Sequence, residues 1–274
     1  LSARQAGGEW LLRIEDLDPP RVAPGSVDQI LSALETLGFE WDGPVVYQSQ
    51  RSEAYWHALE RLRAAGRVFE CTCSRSEIEA AQRRDTAPGD ELFYPGWCRD
   101  GVRAPGRATA VRFRADNSIV CFVDQIQGRS EIDVAAEVGD FVVRRRDGLY
   151  AYQLAVVVDD AEAAITHVVR GADLLSCTSR QMLLQAALGY QTPEYAHLPV
   201  ATDSNGIKLS KSAGAAGIDL RHPGQELWRA LHFLLQDPPD ELRLVTPPLI
   251  WTWAIEHWRP DRLRGLRQRS APAP

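Results

Sequence analysis

Gly206-Ile207-Lys208-Leu209-Ser210-Lys211-Ser212 places two lysines and two serines in one short peptide, directly after a glycine and an isoleucine. A loop of that composition can fold over a polyphosphate. The ammonium groups neutralise charge, while hydroxyl and backbone N–H groups supply directed hydrogen bonds. A solvated Lys/Ser loop is the competing reading of the same peptide. What surrounds it favours a nucleotide-type α/β fold. The loop follows His197-Leu198-Pro199-Val200, and far upstream residues 10–14 read as a short buried strand. That strand runs into Glu15-Asp16-Leu17-Asp18-Pro19-Pro20-Arg21, a loop dense in carboxylates.

Between these two loops, strand and helix signals alternate. Ser26 is the expected N-cap of a helix with Val27, Ile30, Leu31, Leu34 and Leu37 on its apolar face. A second helix is expected over residues 52–65, stopped by Gly66, and a third over 178–188, stopped by Gly189. Ser74 and Glu77 have capping-box spacing and start a short helix. Residues 83–106, rich in Gly, Pro and charge, read as an insertion. Strands are expected at 108–114, 118–124, 141–145 and 165–169, the first two paired through a turn at Asp116-Asn117. Residues 155–160 are ambiguous, because three valines favour a strand but nothing local fixes it. From about residue 223 onward the pattern is helical, and residues 270–274 are expected to be disordered. The fold expected is an α/β parallel-sheet domain carrying insertions, closed by a smaller helical region.

The chain has 274 residues, 45% hydrophobic and 25% charged, with a net charge of −6. This is enough to bury a sizeable core and is ordinary for a globular protein. The acidic balance argues against indiscriminate nucleic-acid binding, although Arg144-Arg145-Arg146 and the arginines between 259 and 269 are candidate basic faces. No apolar run is long enough to span a membrane and no cleavable signal is visible, so the expectation is cytoplasmic. The chain opens as if inside the last turns of a helix, and its single methionine is Met182. An additional N-terminal segment is therefore expected.

Three constellations carry candidate chemistry. Cys71, Cys73 and Cys98 flank the insertion, and Tyr94 is the nearest fourth donor. Spacing leaves two readings open, a tetrahedral metal site or three inert buried cysteines. Glu15 and Asp16 after a strand can bind a cation or an ammonium group, or serve as caps. Arg170, also after a strand, can pair bidentately with a substrate carboxylate or simply with Asp173. Tyr152 can shape a side-chain pocket. His197 can face a nucleotide or be a satisfied core histidine.

Arg13-Ile14-Glu15-Asp16-Leu17-Asp18, Tyr47-Gln48-Ser49-Gln50-Arg51, Arg170-Gly171-Ala172-Asp173, His197-Leu198-Pro199 and Lys208-Leu209-Ser210-Lys211-Ser212 occur here in this order. Together they resemble the class I glutamyl-tRNA synthetases over residues 1 to about 220. Within that family, Arg-Gly-Ala-Asp and the Cys71, Cys73, Tyr94, Cys98 set are similar to the short members that lack an anticodon-binding domain. The resemblance implies a Rossmann-like catalytic domain over 1–220, a zinc-binding insertion at 68–106 and a C-terminal helical region at 221–274. It implies one structural Zn2+ on Cys71, Cys73, Tyr94 and Cys98, with ATP and Mg2+ as substrate. It further implies that Glu15 holds the glutamate ammonium, Tyr152 lines the glutamate site and Arg170 binds the side-chain carboxylate. His197, Lys208, Leu209, Ser210 and Lys211 would bind ATP, with Lys208 and Lys211 stabilising charge on the phosphates. The expected reaction is glutamate activation and transfer to queuosine in tRNA(Asp), by a monomer. A truncated synthetase charging tRNA(Glu), or a non-catalytic zinc and RNA-binding relative, are the alternatives. The resemblance begins past that family's first strand and its His-Ile-Gly-His-type motif. A sheet short of one strand, weak ATP binding and slow or absent turnover are therefore expected.

Overall fold

In the computed structural model, which describes residues 1–19, 22–81, 92–116, 119–211 and 217–271, the chain opens with α1 (Ser2–Gln5). Arg21 of the carboxylate loop, the turn residue Asn117 with Ser118, much of the 83–106 insertion, Ser212 and residues 272–274 lie outside the described residues. After α1 comes β1 (Arg13–Ile14), then α2 (Ser26–Thr36) and β2 (Val46–Tyr47), which pairs with β1 in parallel. The expected strand is thus short. Its extended pairing nevertheless continues upstream, where Leu12 and Trp10 carbonyls accept from Val46 and Asp42 N–H at 3.0 and 2.8 Å. Ser26 does not cap α2: Gly25, at φ 75°, occupies that position and Ser26 is the first helical residue. Ile30, expected on the apolar face, is 49% exposed, whereas Leu37 is buried.

A 3-10 turn over Gln48–Gln50 leads into α3 (Ser52–Ala64). Next come β3 (Val68–Cys71), α4 (Arg75–Glu79) with both capping-box bonds formed at Ser74 and Glu77, and β4 (Ala110–Phe113). β5 (Ile119–Asp124), β6 (Gly128–Asp133), α5 (Val134–Glu137) and β7 (Phe141–Arg144) follow. The expected hairpin between residues 108–114 and 118–124 does not form. β4 lies between β3 and β7 in an antiparallel sheet, so both its edges are taken, and β5 pairs with β6 instead. The Asp124 carboxylate closes that hairpin by accepting from the N–H of Ile126 and Gln127.

The remaining elements are α6 (Tyr152–Glu162), β8 (His167–Gly171), α7 (Thr178–Leu188), β9 (Glu194–Leu198), β10 (Val200–Thr202), α8 (Pro223–Phe233), α9 (Pro247–His257) and β11 (Gln268–Ser270). The ambiguous segment 155–160 is helical. Every residue of α6 from Gln153 to Asp159 is buried, so no amphipathic period marks the helix in the sequence. α7 has the expected bounds and ends at Gly189, whose φ of 67° suits a left-handed C-cap. β8 and β9 pair in parallel from His167↔Glu194 to Gly171↔Leu198. The main core joins Tyr55, Leu59 and Leu62 of α3 to Phe113, Phe141, Val143, Leu154, Val158, Leu184 and Leu188.

The C-terminal region is not wholly helical. β11 pairs in parallel with β10, and Ala271 N–H donates to Thr202 O at 2.8 Å, so the expected disordered tail begins as a strand. Its partner lies just before the lysine loop. α8 and α9 meet through Leu227, Leu231, Ile250 and Ala254 against Leu37. No helix among the described residues is long and apolar enough to cross a membrane.

Candidate active site and candidate metal centre

Glu15 is the first residue beyond β1, and Arg170 is the penultimate residue of β8, so both stand at carboxyl ends of parallel strands. That is where ligands bind in open α/β sheets. α6 ties the two places together. Arg13 donates to Asp160 at 2.7 Å and pairs with Glu15 at 3.2 Å. At the other end of α6, Gln153 Oε1 accepts from Gln181 Nε2 at 3.0 Å, and Gln181 Oε1 accepts from Arg170 at 2.8 Å. Tyr152 begins α6. Burial pushes its phenol up, while Arg170 opposes the shift and Glu15 reinforces it. Glu15 and Arg170 thus both act electrostatically on Tyr152.

The base of this region is a buried polar knot around Asp159. Its carboxylate accepts from Gln48 Nε2 at 2.7 Å, Arg51 Nε at 2.6 Å and Tyr55 Oη at 2.9 Å. Asp16 accepts from the N–H and hydroxyl of Ser49 at 2.8 and 2.7 Å. The carboxylate loop and the peptide 47–51 are therefore fastened to each other and to α6. Asp16 and Asp18, which pairs with Arg145, are structural here, and Glu15 is the exposed member.

Arg170 does not pair with Asp173. Its Nε donates to His197 Nε2 at 3.0 Å, one Nη to Gln181, and the other to Thr178 Oγ1 at 3.0 Å and Leu174 O at 3.4 Å. Four of its five N–H groups thus have acceptors. The expected two-pronged grip on a carboxylate would require one of them to be released. Asp173 pairs with Lys208 instead, linking the 3-10 turn at 172–177 to the lysine loop. That loop is shaped by Asp203, whose side chain accepts from Asn205 and Ile207 N–H, before a 3-10 turn at Leu209–Lys211. The side chain of His197 is 0% exposed and engaged by Asp124 at 2.6 Å and by Arg170, as a satisfied core histidine would be. The candidate basic faces are also largely engaged: Arg145 pairs with Asp18 and Asp147, Arg259 with Asp261, and Arg262 with Asp237.

The second constellation lies at the insertion. Cys71, Cys73 and Cys98 are buried, and their sulfurs all lie within 4.8 Å of one another. Cys73 and Cys98 Sγ are 3.6 Å apart, and Tyr94 Oη is 3.4 Å from Cys71 and 3.8 Å from Cys73 Sγ. A tetrahedral zinc with ligand distances of about 2.3 Å to sulfur and ~2.0 Å to oxygen spaces its sulfurs about 3.8 Å apart, and sulfur from oxygen ~3.5 Å. The four side chains fit a metal of that size. Cys98 N–H donates to Tyr94 Oη at 2.9 Å, and Arg103 N–H to Cys98 Sγ at 3.5 Å. Burial raises the Cys73 thiol to about 11 and also raises the Tyr94 phenol. Burial acts upward on Cys98 too, but the N–H of Arg103 and neighbouring donors bring it down to about 6. Gly139 allows this packing. It sits at φ 69°, and a Cβ there would lie 2.8 Å from Tyr94 O. Arg112, buried, stacks its guanidinium 4.0 Å from the Tyr94 ring centre.

Asp124, Thr178 and Gln181, to which the sequence assigned no role, belong to no motif; Thr178 and Gln181 lie in the buried polar run Thr178-Ser179-Arg180-Gln181.

Residues 1–222 match the family of class I tRNA synthetases (E and Q), catalytic domain. The chain is 54% identical over its whole length to the glutamyl-Q tRNA(Asp) synthetase of Aromatoleum aromaticum, covering 85% of that protein. It is 51% identical over 95% of its length to the protein of the same name from Dechloromonas aromatica, covering 86% of it. In fold it is similar to a glutamate-tRNA synthetase from Elizabethkingia anophelis, with a TM-score of 0.78 at 24% identity, over 99% of this chain and 63% of that one. On the matched catalytic domain and these relatives, the chain belongs to the class I glutamyl- and glutaminyl-tRNA synthetase family.

Proposed function

We propose that this chain condenses L-glutamate with ATP to glutamyl-adenylate, releasing pyrophosphate, and then transfers the glutamyl group to a hydroxyl of the queuosine ring in tRNA(Asp), the acyl–phosphate bond breaking to release AMP as the hydroxyl loses its proton. The observation that carries this reading is the identity of about half, along 95% or more of this chain, with relatives named for that substrate. Glu15, exposed beyond β1, holds the ammonium group of glutamate. Tyr152 lines the pocket and Arg170 attracts the side-chain carboxylate. Lys208 exchanges Asp173 for a phosphate oxygen when ATP binds, and with Lys211 stabilises charge as pyrophosphate leaves. Leu209 and Ser210 carry the backbone of that loop across the nucleotide. Mg2+, entering with ATP, would neutralise charge on the phosphates. No covalent nucleophile is needed, because positioning and charge stabilisation suffice for adenylate formation.

His197 takes no direct part in nucleotide binding in this proposal. Cys71, Cys73, Tyr94 and Cys98 would hold a zinc ion in a structural role, since a site with four protein ligands serves folding rather than substrate. The catalytic domain spans 1–220 with the insertion at 68–106. Residues 221–274 close it, with β11 backing the strand that feeds the lysine loop.

Glutamate-dependent ATP–pyrophosphate exchange, followed by transfer of labelled glutamate to tRNA, tests the proposal. Label on queuosine-containing tRNA(Asp) that is lost when the base is unmodified supports it. Label on an unmodified tRNA(Glu) transcript would instead select ordinary tRNA charging. Absence of glutamate-dependent exchange would overturn the activation mechanism.

A further inference from the structure

Arg170 is anchored by a buried chain of two side chains, His197 and Asp124. Its Nε–H donates to His197 Nε2 at 3.0 Å, and His197 Nδ1 lies 2.6 Å from Asp124 Oδ2. The other carboxylate oxygen, Asp124 Oδ1, accepts backbone N–H groups of Ile126 at 3.0 Å, Gln127 at 2.8 Å and His197 at 3.1 Å. The side chains of His197 and Asp124 are both 0% exposed. A guanidinium can only donate, so His197 Nε2 must carry a lone pair, and Nδ1 must then carry the proton donated to Asp124. The ring is therefore neutral and held in one tautomer.

The imidazole also separates two charges. Among the described residues no carboxylate lies within ion-pair distance of Arg170; its partners are His197, Gln181, Thr178 and Leu174 O, all neutral. A direct Asp–Arg pair would hold the guanidinium equally well but would neutralise it. A neutral histidine between them transmits the orientation of Asp124 and leaves the positive charge available to a ligand.

We propose that Asp124 and His197 form a positioning pair that aims Arg170 while keeping its charge uncompensated, and so sets the preference of the site for a side-chain carboxylate over its neutral amide. This rests on the reading of Arg170 as the residue that meets the glutamate side chain. Replacing Asp124 by Asn breaks the chain in either amide orientation. If the amide nitrogen faces the ring, the proton moves to Nε2 and opposes Arg170 Nε–H. If it faces the other way, it opposes three backbone N–H groups.

The experiment combines a substrate-free readout with a binding readout. Nitrogen-15 spectra of the histidine rings should show His197 as the Nδ1–H tautomer. The titratable and charged groups facing its ring are Asp124, Arg170 and Tyr195, whose ring stacks on it at 6.1 Å. An Nε2–H tautomer overturns the proposal whatever glutamate does. Asp124→Asn should raise the KM for glutamate roughly 10- to 100-fold with a smaller effect on kcat, and narrow the preference for glutamate over glutamine. His197→Gln, which keeps an acceptor for Arg170, should retain more glutamate affinity than His197→Leu. Arg170→Gln is the control. If it loses glutamate while Asp124→Asn and both His197 variants bind as wild type, the positioning proposal fails alone. If none of the four changes glutamate binding, the reading of Arg170 fails with it.

Discussion

Replacing Asp159 by Ala should cost this chain a large fraction of its stability. The carboxylate is 3% exposed and accepts from Gln48, Arg51 and Tyr55. Its four neighbours would suffer unequally. Arg51 keeps Glu162, and Arg13, whose Nε is 3.7 Å from Asp159, keeps Asp160 and Glu15. Gln48 and Tyr55 are buried at 1% and 0% exposure, and Asp159 is the acceptor recorded for the side-chain donor of each. Two buried donors left without an acceptor cost about 1–3 kcal/mol each. Breaking a buried ionic contact from one side costs about 3–5 kcal/mol in comparable cases. The expected loss is therefore ~3–5 kcal/mol, against a total stability of about 5–15 kcal/mol for a typical domain. Asp159→Asn keeps one acceptor but turns an N–H2 toward a donor, so it should fall between Ala and wild type. Tyr55→Phe removes one donor with its hydroxyl and should cost about 1 kcal/mol. Because the two residues touch, the Asp159→Ala/Tyr55→Phe double variant should lose less than the sum. Urea unfolding followed by the fluorescence of the eight tryptophans measures all of these. A loss below about 1 kcal/mol in Asp159→Ala would refute the view that this knot holds α6 to the peptide 47–51.

Removing metal with a strong chelator should lower the melting temperature and make Cys71, Cys73 and Cys98 reactive to thiol reagents, with zinc restoring both; a chain that holds no stoichiometric zinc would refute the site. Gly139→Ala, which places a Cβ against Tyr94 O at a positive φ, should weaken zinc retention without altering the isolated thiols. Lys208→Ala should reduce kcat for pyrophosphate exchange by about 100- to 1,000-fold, as expected for loss of a charge-stabilising group, while leaving the KM for glutamate nearly unchanged. Burial opposes ionisation of Asp124, but His197 and the three N–H donors hold its carboxyl below the ordinary value. A depressed pKa stabilises fully above the unfolded value, near pH 4, and that stability is lost as pH falls through the folded value. The acid limb of the stability profile should therefore be shallower in Asp124→Asn, and an unchanged limb would show that Asp124 is not ionised in the fold.

The parts of this fold legible in the sequence are those with local chemistry. α7 and its Gly189 stop, the capping box at Ser74 and Glu77, and α3 before Gly66 all depend on residues adjacent in the chain. Pairing between distant strands did not announce itself. The Asp116-Asn117 turn signal suggested a hairpin, but β4 is claimed on both edges by β3 and β7. β6, with the polar sequence Gly-Arg-Ser-Glu-Ile-Asp, gave no alternating apolar signal because neither face is fully buried. β11 escaped notice because its three residues gain their strand geometry from β10, nearly 70 positions upstream by the numbering. The site divides in the same way. Glu15, Tyr152, Arg170, Lys208 and the Cys/Tyr set were legible as ordered peptides. Asp124, Thr178 and Gln181, which brace Arg170 directly or through His197, were not, since no motif marks them.

α6 shows why those silent residues matter. From Gln153 to Asp159 it is buried along its whole length, between α3 and α7, yet it carries polar groups at both ends of that stretch. A buried polar group is tolerated only where its hydrogen bonds are made. At one end Gln153 meets Gln181, which meets Arg170; at the other Asp159 meets Gln48, Arg51 and Tyr55, and Asp160 meets Arg13 beside Glu15. About seven residues of helix, roughly 10 Å at 1.5 Å per residue, thus separate the contacts that orient Arg170 from those that fix the loop of Glu15. A rigid helix buried over that stretch can hold two candidate ligand-binding groups at a set distance more reliably than the short strands that carry them. The two parallel pairs, β1 with β2 and β8 with β9, are not hydrogen-bonded to each other among the described residues, so the spacing between Glu15 and Arg170 is set through α6 and its satisfied polar ends.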